Sequence, residues 1–289
     1  MSVAHLRQLK EWFCRLEDEG KLSRHPAFRS AVETFRFEVP AAMPGARSII
    51  IMATPQNLAS VAFALDGRRH MLLIPPGYID DGLGIRDIQY RIADDVIGSP
   101  GTRIVPAELP LKSLAAWSGL AVYGRNNLTF IEGWGSLFQL RGFYSDQILP
   151  DDWDRLRLMR LCKECSTCIR DCPTGALRQD PFILDVGKCL TLYNERPDPL
   201  PAWIAPGIHH ALIGCLKCQW TCPANEKAVR RVTHLADLSE EETRMLISGK
   251  KDQRLHGSVI EKLKRFPAAK NFDWFSRNVR SALANSVPR

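Results

Sequence analysis

Apolar residues recur at helical spacing over residues 5–20, where Leu6, Leu9, Trp12, Phe13 and Leu16 share one face and Gly20 closes the run. Cys14 falls within this stretch and reads as one more buried apolar residue. Ser48-Ile49-Ile50-Ile51-Met52 is a continuous apolar run that predicts a buried strand, and Arg103-Ile104-Val105 predicts a second. Between them residues 85–97 read as a helix with Ile85, Ile88, Ile92 and Val96 on one face, ended by Pro100-Gly101. Residues 111–117 read as a further helix. Leu128–Ile131 and Leu137–Leu140 predict two antiparallel strands joined across Gly133-Trp134-Gly135-Ser136. This mixture predicts an α+β domain over residues 1–150. Pro150-Asp151-Asp152 then marks a boundary into a cysteine-rich segment, residues 151–228. Helical periodicity returns over residues 229–289, with Ser239 as an N-cap ahead of three glutamates and Trp274, Phe275, Val279 and Leu283 lining a final helix.

Composition narrows the class without deciding it. The 289 residues are enough for roughly two domains, and 45% hydrophobic with 25% charged residues is ordinary for a globular chain. No apolar run is long enough to span a bilayer. The first helix carries Glu11, Glu17, Asp18 and Glu19, which a secretory signal would not, and no twin-arginine leader precedes it, so a cytoplasmic, reducing setting is expected. The net charge of +7 gathers at Lys250, Lys251, Arg254, Lys262, Lys264, Arg265 and Lys270. Two readings fit that cluster: a phosphate-contacting surface or a solvated helix face.

The chemistry is concentrated in the cysteines. Eight of nine lie between residues 162 and 222 as Cys162-x2-Cys165-x2-Cys168-x3-Cys172-Pro173, then Cys189, then Cys215-x2-Cys218-x3-Cys222-Pro223. In two-cluster ferredoxins the fourth cysteine of such a run ligates the other cluster. Cys162, Cys165, Cys168 and Cys222 therefore form one ligand set. Cys172, Cys215 and Cys218 begin another, and Cys189 is the nearby thiol left to complete it. Four cysteines within eleven residues suit a tetrahedral zinc ion poorly, because zinc sites draw on separated pairs. A disulfide framework conflicts with the reducing setting.

The flanks of these runs resemble the cluster region of epoxyqueuosine reductases: Arg160-Leu161-Cys162, Pro173-Thr174-Gly175-Ala176, Lys188-Cys189-Leu190-Thr191 and Gly214-Cys215. Further similarity lies in Met43–Ile50, Ser118–Asn126, Gly135–Phe138 and Phe272–Arg280, with Arg125 where the family usually has lysine. The resemblance implies a nitroreductase-like domain holding base-off cobalamin, followed by a ferredoxin-like domain with two [4Fe-4S] clusters and a short HEAT-like helical region. It implies that Tyr123, Gly124, Arg125 and Asn126 contribute to the cofactor site. It also implies electron flow from a reduced ferredoxin or flavodoxin through both clusters to cobalt. In that family an epoxide on a tRNA anticodon loop is reduced to an alkene.

The chain departs from the family where substrate is handled. Val105 stands at the position of the acidic proton donor, Lys112 at that of an arginine, and Asp87-Ile88-Gln89 replaces an Asp-Tyr-His run. The resemblance thus implies a small-molecule or modified-nucleotide substrate different from epoxyqueuosine. Glu108, if enclosed, or Tyr78 in Pro76-Gly77-Tyr78 could act as the acid. His209 and His210 read as shielding or surface residues rather than ligands. A different function class is an electron-transfer protein or reductive activator serving a corrinoid partner, which needs no acid. Binding of tRNA through the basic C-terminal helices is a third.

Overall fold

The apolar run at residues 48–52 forms a strand and extends to β1 (Ser48–Pro55). In the computed structural model, which describes residues 1–179, 184–205 and 207–284, β1 is one edge of a three-stranded sheet. Its centre is β7 (Phe138–Ser145), antiparallel to β1 from Ser48↔Ser145 to Pro55↔Phe138. The other edge is β4 (Ile104–Pro106), which begins at Ile104↔Ser145. The expected hairpin between residues 128–131 and 137–140 does not form. β6 (Thr129–Phe130) pairs with β5 (Val122–Tyr123), and the Gly133–Gly135 turn keeps only an Ile131↔Gly135 bridge. An eight-residue register against apolar β1 outweighs a two-residue local pairing.

Helix α1 (Leu6–Asp18) presses Leu6 and Leu9 onto Ile49, Leu114, Trp117 and Tyr144, with α4 (Leu111–Trp117) on the same core. α2 (Pro26–Val32) follows α1. Cys14 is exposed, contrary to its reading as a buried residue. At 100° per residue it lies well away from the stripe that Leu9, Phe13 and Leu16 define. The helix expected over residues 85–97 starts as α3 (Ile85–Arg91) and continues as a π-helical turn over Ile92–Ile97, closed by Gly98 at φ 66°. Ile88 and Ile92 are buried with Ile104 and Phe143, whereas Ile85 is 45% and Val96 77% exposed. The wider turn rotates Val96 off the face that a regular α-helix would give it.

These elements belong to one of two compact units, each assembled from non-contiguous segments rather than from three successive blocks. The first comprises Met1–Pro55, Gly82–Ser166 and Leu177–Gly187; the second comprises Gln56–Asp81, Thr167–Ala176 and Lys188–Arg289. The second unit is discontinuous because β2 (Leu58–Leu65) pairs in parallel with β8 (Val232–Leu238) from Leu58↔Val232 to Phe63↔Leu238. Residues 232–238 are thus a strand, not part of a helical region. Every residue from Leu58 to Phe63 is buried, so β2 requires a neighbour on each side. Its other neighbour is β3 (Arg68–Ile74). They join through Asp66 (φ 51°) and Gly67 (φ 70°), the double left-handed conformation of a type I′ turn.

Helices α8 (Glu240–Ser248), α9 (Gln253–Lys262) and α10 (Phe272–Leu283) cover this sheet, with Leu246, Val259, Phe275 and Val279 against Val61, Phe63, Leu72 and Ile74. Ser239 caps α8 as its sequence predicts, in a reciprocal capping box with Glu242. Three short helices, α5 (Thr167–Arg170), α6 (Leu190–Asn194) and α7 (Lys217–Trp220), carry the cysteine segments of the second unit. No helix among the described residues is long and apolar enough to cross a membrane.

The type I′ turn makes a direct prediction. Gly67→Ala forces an L-residue to keep φ near 70° and is expected to cost about 1–2 kcal/mol. Gly45→Ala, at a position with open space around its Cα, is expected to cost nothing measurable. Thermal unfolding midpoints of the two variants, measured side by side, check this.

Candidate metal centre

The first cysteine run is anchored by the strand that precedes it. Tyr123 N donates to Arg157 O at 2.9 Å and Met159 N to Tyr123 O at 2.6 Å, so the chain entering Cys162 is zipped onto β5. Cys162 sits buried in a 3₁₀ turn over Arg160–Lys163. Arg125 then holds the loop from the inside. Its Nε donates to Cys165 O at 3.1 Å, one terminal nitrogen donates to Cys162 O, and the other to Gln179 O at 3.1 Å and Gln179 Oε1 at 3.3 Å. Its backbone N–H points at Cys162 Sγ, 3.4 Å away.

Gly124 is required by packing, since a Cβ there would lie 2.3 Å from the Phe130 ring. The Tyr123 hydroxyl lies 3.4 Å from Ser113 Oγ, burial pushes it up to about 12, and Asn126 Oδ1 accepts from Leu128 N at 3.3 Å. These four residues, which the resemblance assigns to cofactor binding, hold the cysteine loop and its turn.

The second unit gathers the other thiols. Burial pushes Cys215 up to about 12, with Cys189 and Cys172 adding to the effect. Cys218 is raised further, first by burial and then by Cys215, Cys189, Cys168 and Cys172. Cys189 is raised by burial, with Cys172 and Glu195 contributing. Cys172 therefore lies close enough to Cys189, Cys215 and Cys218 to oppose their ionisation. Among the described residues no three His, Cys, Asp or Glu side chains close on a single-ion position. An iron–sulfur cube holds its thiolates at separate corners, farther apart than the roughly 4 Å between sulfurs of one tetrahedral zinc ion. A donor set made of thiols alone, in two interleaved runs, is the chemistry of an iron–sulfur cube.

Hydrogen bonds from α10 fix this set in place. Asn278 is 2% exposed, and its amide donates to Asn194 O at 2.9 Å and Leu212 O at 3.0 Å. Trp274 Nε1 donates to the same Asn194 carbonyl at 2.8 Å. Asn194, 1% exposed, donates in turn to Gly214 O at 2.9 Å. Cys189 caps the start of α6 and Asn194 ends it, while Gly214 immediately precedes Cys215. Leu212 N also donates to Leu73 O at 2.8 Å, which aligns the approach to Cys215 beside β3.

Tyr78 lies in this second group. Its hydroxyl donates to Glu195, and its ring covers Gly214, where a Cβ would meet the phenol oxygen at 2.6 Å. Burial raises both Tyr78 and Glu195. Glu108 is exposed on the loop after β4, and lacks the enclosure its role as an acid required. His209 is buried, pushed down to about 4 first by burial. His210 Nε2 accepts from Leu216 N at 3.1 Å and lies 3.7 Å from Cys215 Sγ, which suits shielding of that thiol. Neither histidine is on a helix. Sequence reasoning missed Arg125 as a clamp, Glu195 as the partner of Tyr78, and the Asn194–Asn278 brace. The one visible signal was a polar Asn278 between Phe275 and Val279 on an apolar helix face.

The brace predicts a selective loss. Asn278→Ala leaves the Leu212 carbonyl without its side-chain donor and the Asn194 carbonyl with the Trp274 indole alone, at roughly 1–3 kcal/mol for the buried group left unpaired. It is expected to lower iron from about eight to about four per chain while the first set is retained. Iron and labile-sulfide determination on anaerobically purified protein reads this; full iron content would contradict the role.

Comparison with known proteins agrees with this arrangement. Residues 161–225 match the 4Fe-4S double cluster binding domain. The epoxyqueuosine reductase of Pseudomonas aeruginosa is 30% identical over 190 residues, 64% of this chain and 49% of that protein. That of Gloeobacter violaceus is 26% identical over 279 residues, 87% of this chain and 80% of that protein. Against the first of these relatives the chain spans about half the length. Among solved structures, epoxyqueuosine reductase from Streptococcus thermophilus matches 99% of this chain and 76% of its own, with a TM-score of 0.66 at 16% identity. An epoxyqueuosine reductase with an epoxyqueuosine-modified tRNA stem loop matches 96% of this chain and 74% of its own, with a TM-score of 0.65 at 20% identity. The chain is thus epoxyqueuosine reductase-like in sequence and in its mixed α/β fold, and it carries a 4Fe-4S double cluster domain.

Proposed function

We propose that this chain is an iron–sulfur oxidoreductase of the epoxyqueuosine reductase type, acting on a substrate other than epoxyqueuosine. The observation that carries the reading is the group of neighbouring half-buried thiols at Cys172, Cys189, Cys215 and Cys218, downstream of an arginine-clamped first run. When bound, two [4Fe-4S] clusters supply single low-potential electrons. Cys162, Cys165, Cys168 and Cys222 hold one, and Cys172, Cys189, Cys215 and Cys218 the other. The Arg125 amide directed at Cys162 Sγ disperses charge on that ligand, which favours the reduced state.

Cobalamin as the electron acceptor, a nitroreductase-like first unit and HEAT-like packing of α8–α10 follow from the resemblance, as does a cytoplasmic donor of ferredoxin or flavodoxin type. Val105 at the proton-donor position, an exposed Glu108 and a Tyr78 committed to Glu195 support a changed substrate, a small molecule or a modified nucleotide. The same three observations favour a second reading, an electron-delivery protein or reductive activator of a corrinoid partner. A tRNA role draws less support from the C-terminal cations. Lys262 pairs with Glu242 at 2.7 Å, Lys264 with Glu261 at 3.1 Å and Arg254 with Glu241 at 3.8 Å.

Anaerobic protein incubated with hydroxocobalamin and desalted separates the two. The enzyme reading predicts about one cobalt per chain and a base-off Co(II) paramagnetic signal. Clusters without corrin uptake, together with reduction of a cobalamin-loaded partner protein, would establish the delivery reading instead.

A further inference from the structure

The first unit holds a cleft of about 350 Å³ between α3 and the chain entering β4. Arg86, Gln89 and Tyr90 line one wall at i, i+3 and i+4, a single helical face. Arg103, Ile104 and Val105 line the other. The Gln89 amide donates to Ile104 O and ties the two walls together. Arg103 is fixed twice, its backbone N–H donating to Asp146 Oδ1 at 3.1 Å and one terminal nitrogen to Ala42 O at 2.9 Å. The volume lies near the lower end of small-molecule sites, which suits a compact ligand.

The charge of this cleft has one sign. Two arginines line it and no carboxylate does. Among the described residues neither guanidinium has an acid within ion-pair distance, and that of Arg103 is bonded to a backbone carbonyl alone. Asp146 takes the Arg103 backbone amide rather than its side chain, and Asp87 folds back over Gly84. Val105 stands where the resemblance places an acidic residue, so the charge that would repel an anion is gone. Tyr90 is 68% exposed, and no described residue hydrogen-bonds its hydroxyl. A tyrosine so placed offers a flat aromatic surface with a polar tip. An arginine fork grips a carboxylate or phosphate through paired hydrogen bonds.

We infer that this cleft is the substrate site, and that the substrate is a small aromatic oxyanion, a ring carrying a carboxylate or a phosphate. Arg86 and Arg103 hold its charge, and its ring lies among Tyr90, Ile104 and Val105. The inference deepens the proposed function and rests on it, since Val105 marks where substrate is handled. A neutral or cationic substrate would leave both guanidiniums unanswered. A carboxylate restored at Val105 would take the place of the bound anion.

Isothermal titration calorimetry of the anaerobic holoprotein with benzoate, phenyl phosphate, benzamide and inorganic phosphate tests this. Benzoate or phenyl phosphate is expected to bind roughly tenfold more tightly than benzamide, which keeps the ring without the charge. The same margin is expected over inorganic phosphate, which has the charge without the ring. The tighter of the first two tells carboxylate from phosphate. Arg86→Gln and Arg103→Gln are each expected to weaken that binding about tenfold with iron content unchanged, the size of a lost charged hydrogen bond. Val105→Asp is expected to weaken it as much, whereas Val105→Asn, equal in shape and uncharged, keeps it. Benzamide bound as tightly as benzoate, or an affinity untouched by both arginine variants, would overturn the site. So would inorganic phosphate bound as tightly as phenyl phosphate. The predicted anion binding in protein that holds no iron–sulfur clusters would uphold the site and overturn the reductase reading.

Discussion

A buried thiol does not ionise without compensation, and the second unit is organised around that constraint. Burial opposes the thiolate at Cys189, Cys215 and Cys218, and each neighbouring sulfur makes the next ionisation harder. A cluster core carrying positive iron reverses the sign of this energetics, because a coordinating thiol is deprotonated outright. The same burial that makes the apo site costly therefore makes the loaded site tight. With the proposed ligands, folding would be coupled to cluster assembly, as it is in other metal-dependent small domains.

That coupling accounts for where the hydrogen bonds are placed. The Asn278 and Asn194 amides, the Trp274 indole and the sheet edge at Leu73 all end on backbone that leads into Cys189 or Cys215. In the first unit Arg125 performs the equivalent task for Cys162 and Cys165 with one side chain. Arginine suits this position because its planar fork satisfies several carbonyls at once, which lysine cannot do with a point charge. The residue that departs from the family's usual lysine is thus the one that grips the loop.

Much of this was legible in the chain and some was not, for physical reasons. The cysteine spacing is a local constraint, so it reads directly. β1, α1, α4, the Ser239 cap and α10 follow from local periodicity and capping chemistry. The Asp66-Gly67 pair between apolar runs is itself a hairpin signal, yet the pairing of β2 with β8 joins Leu58 to Val232 and leaves no local periodicity to read. Cys14 was misread because sequence proximity to Phe13 is not a shared helix face. Tyr78 could be flagged as a candidate acid, but its placement against Gly214 and Glu195 exists only in three dimensions.

The proposed function requires two cubes held by eight thiolates. Metal and sulfide analysis of protein prepared without oxygen, combined with Mössbauer spectroscopy of iron-57-enriched material, addresses it most directly. About eight irons and eight labile sulfides per chain with the parameters of [4Fe-4S] cubes are predicted. Zinc in their place, or a colourless protein with no labile sulfide, would contradict it.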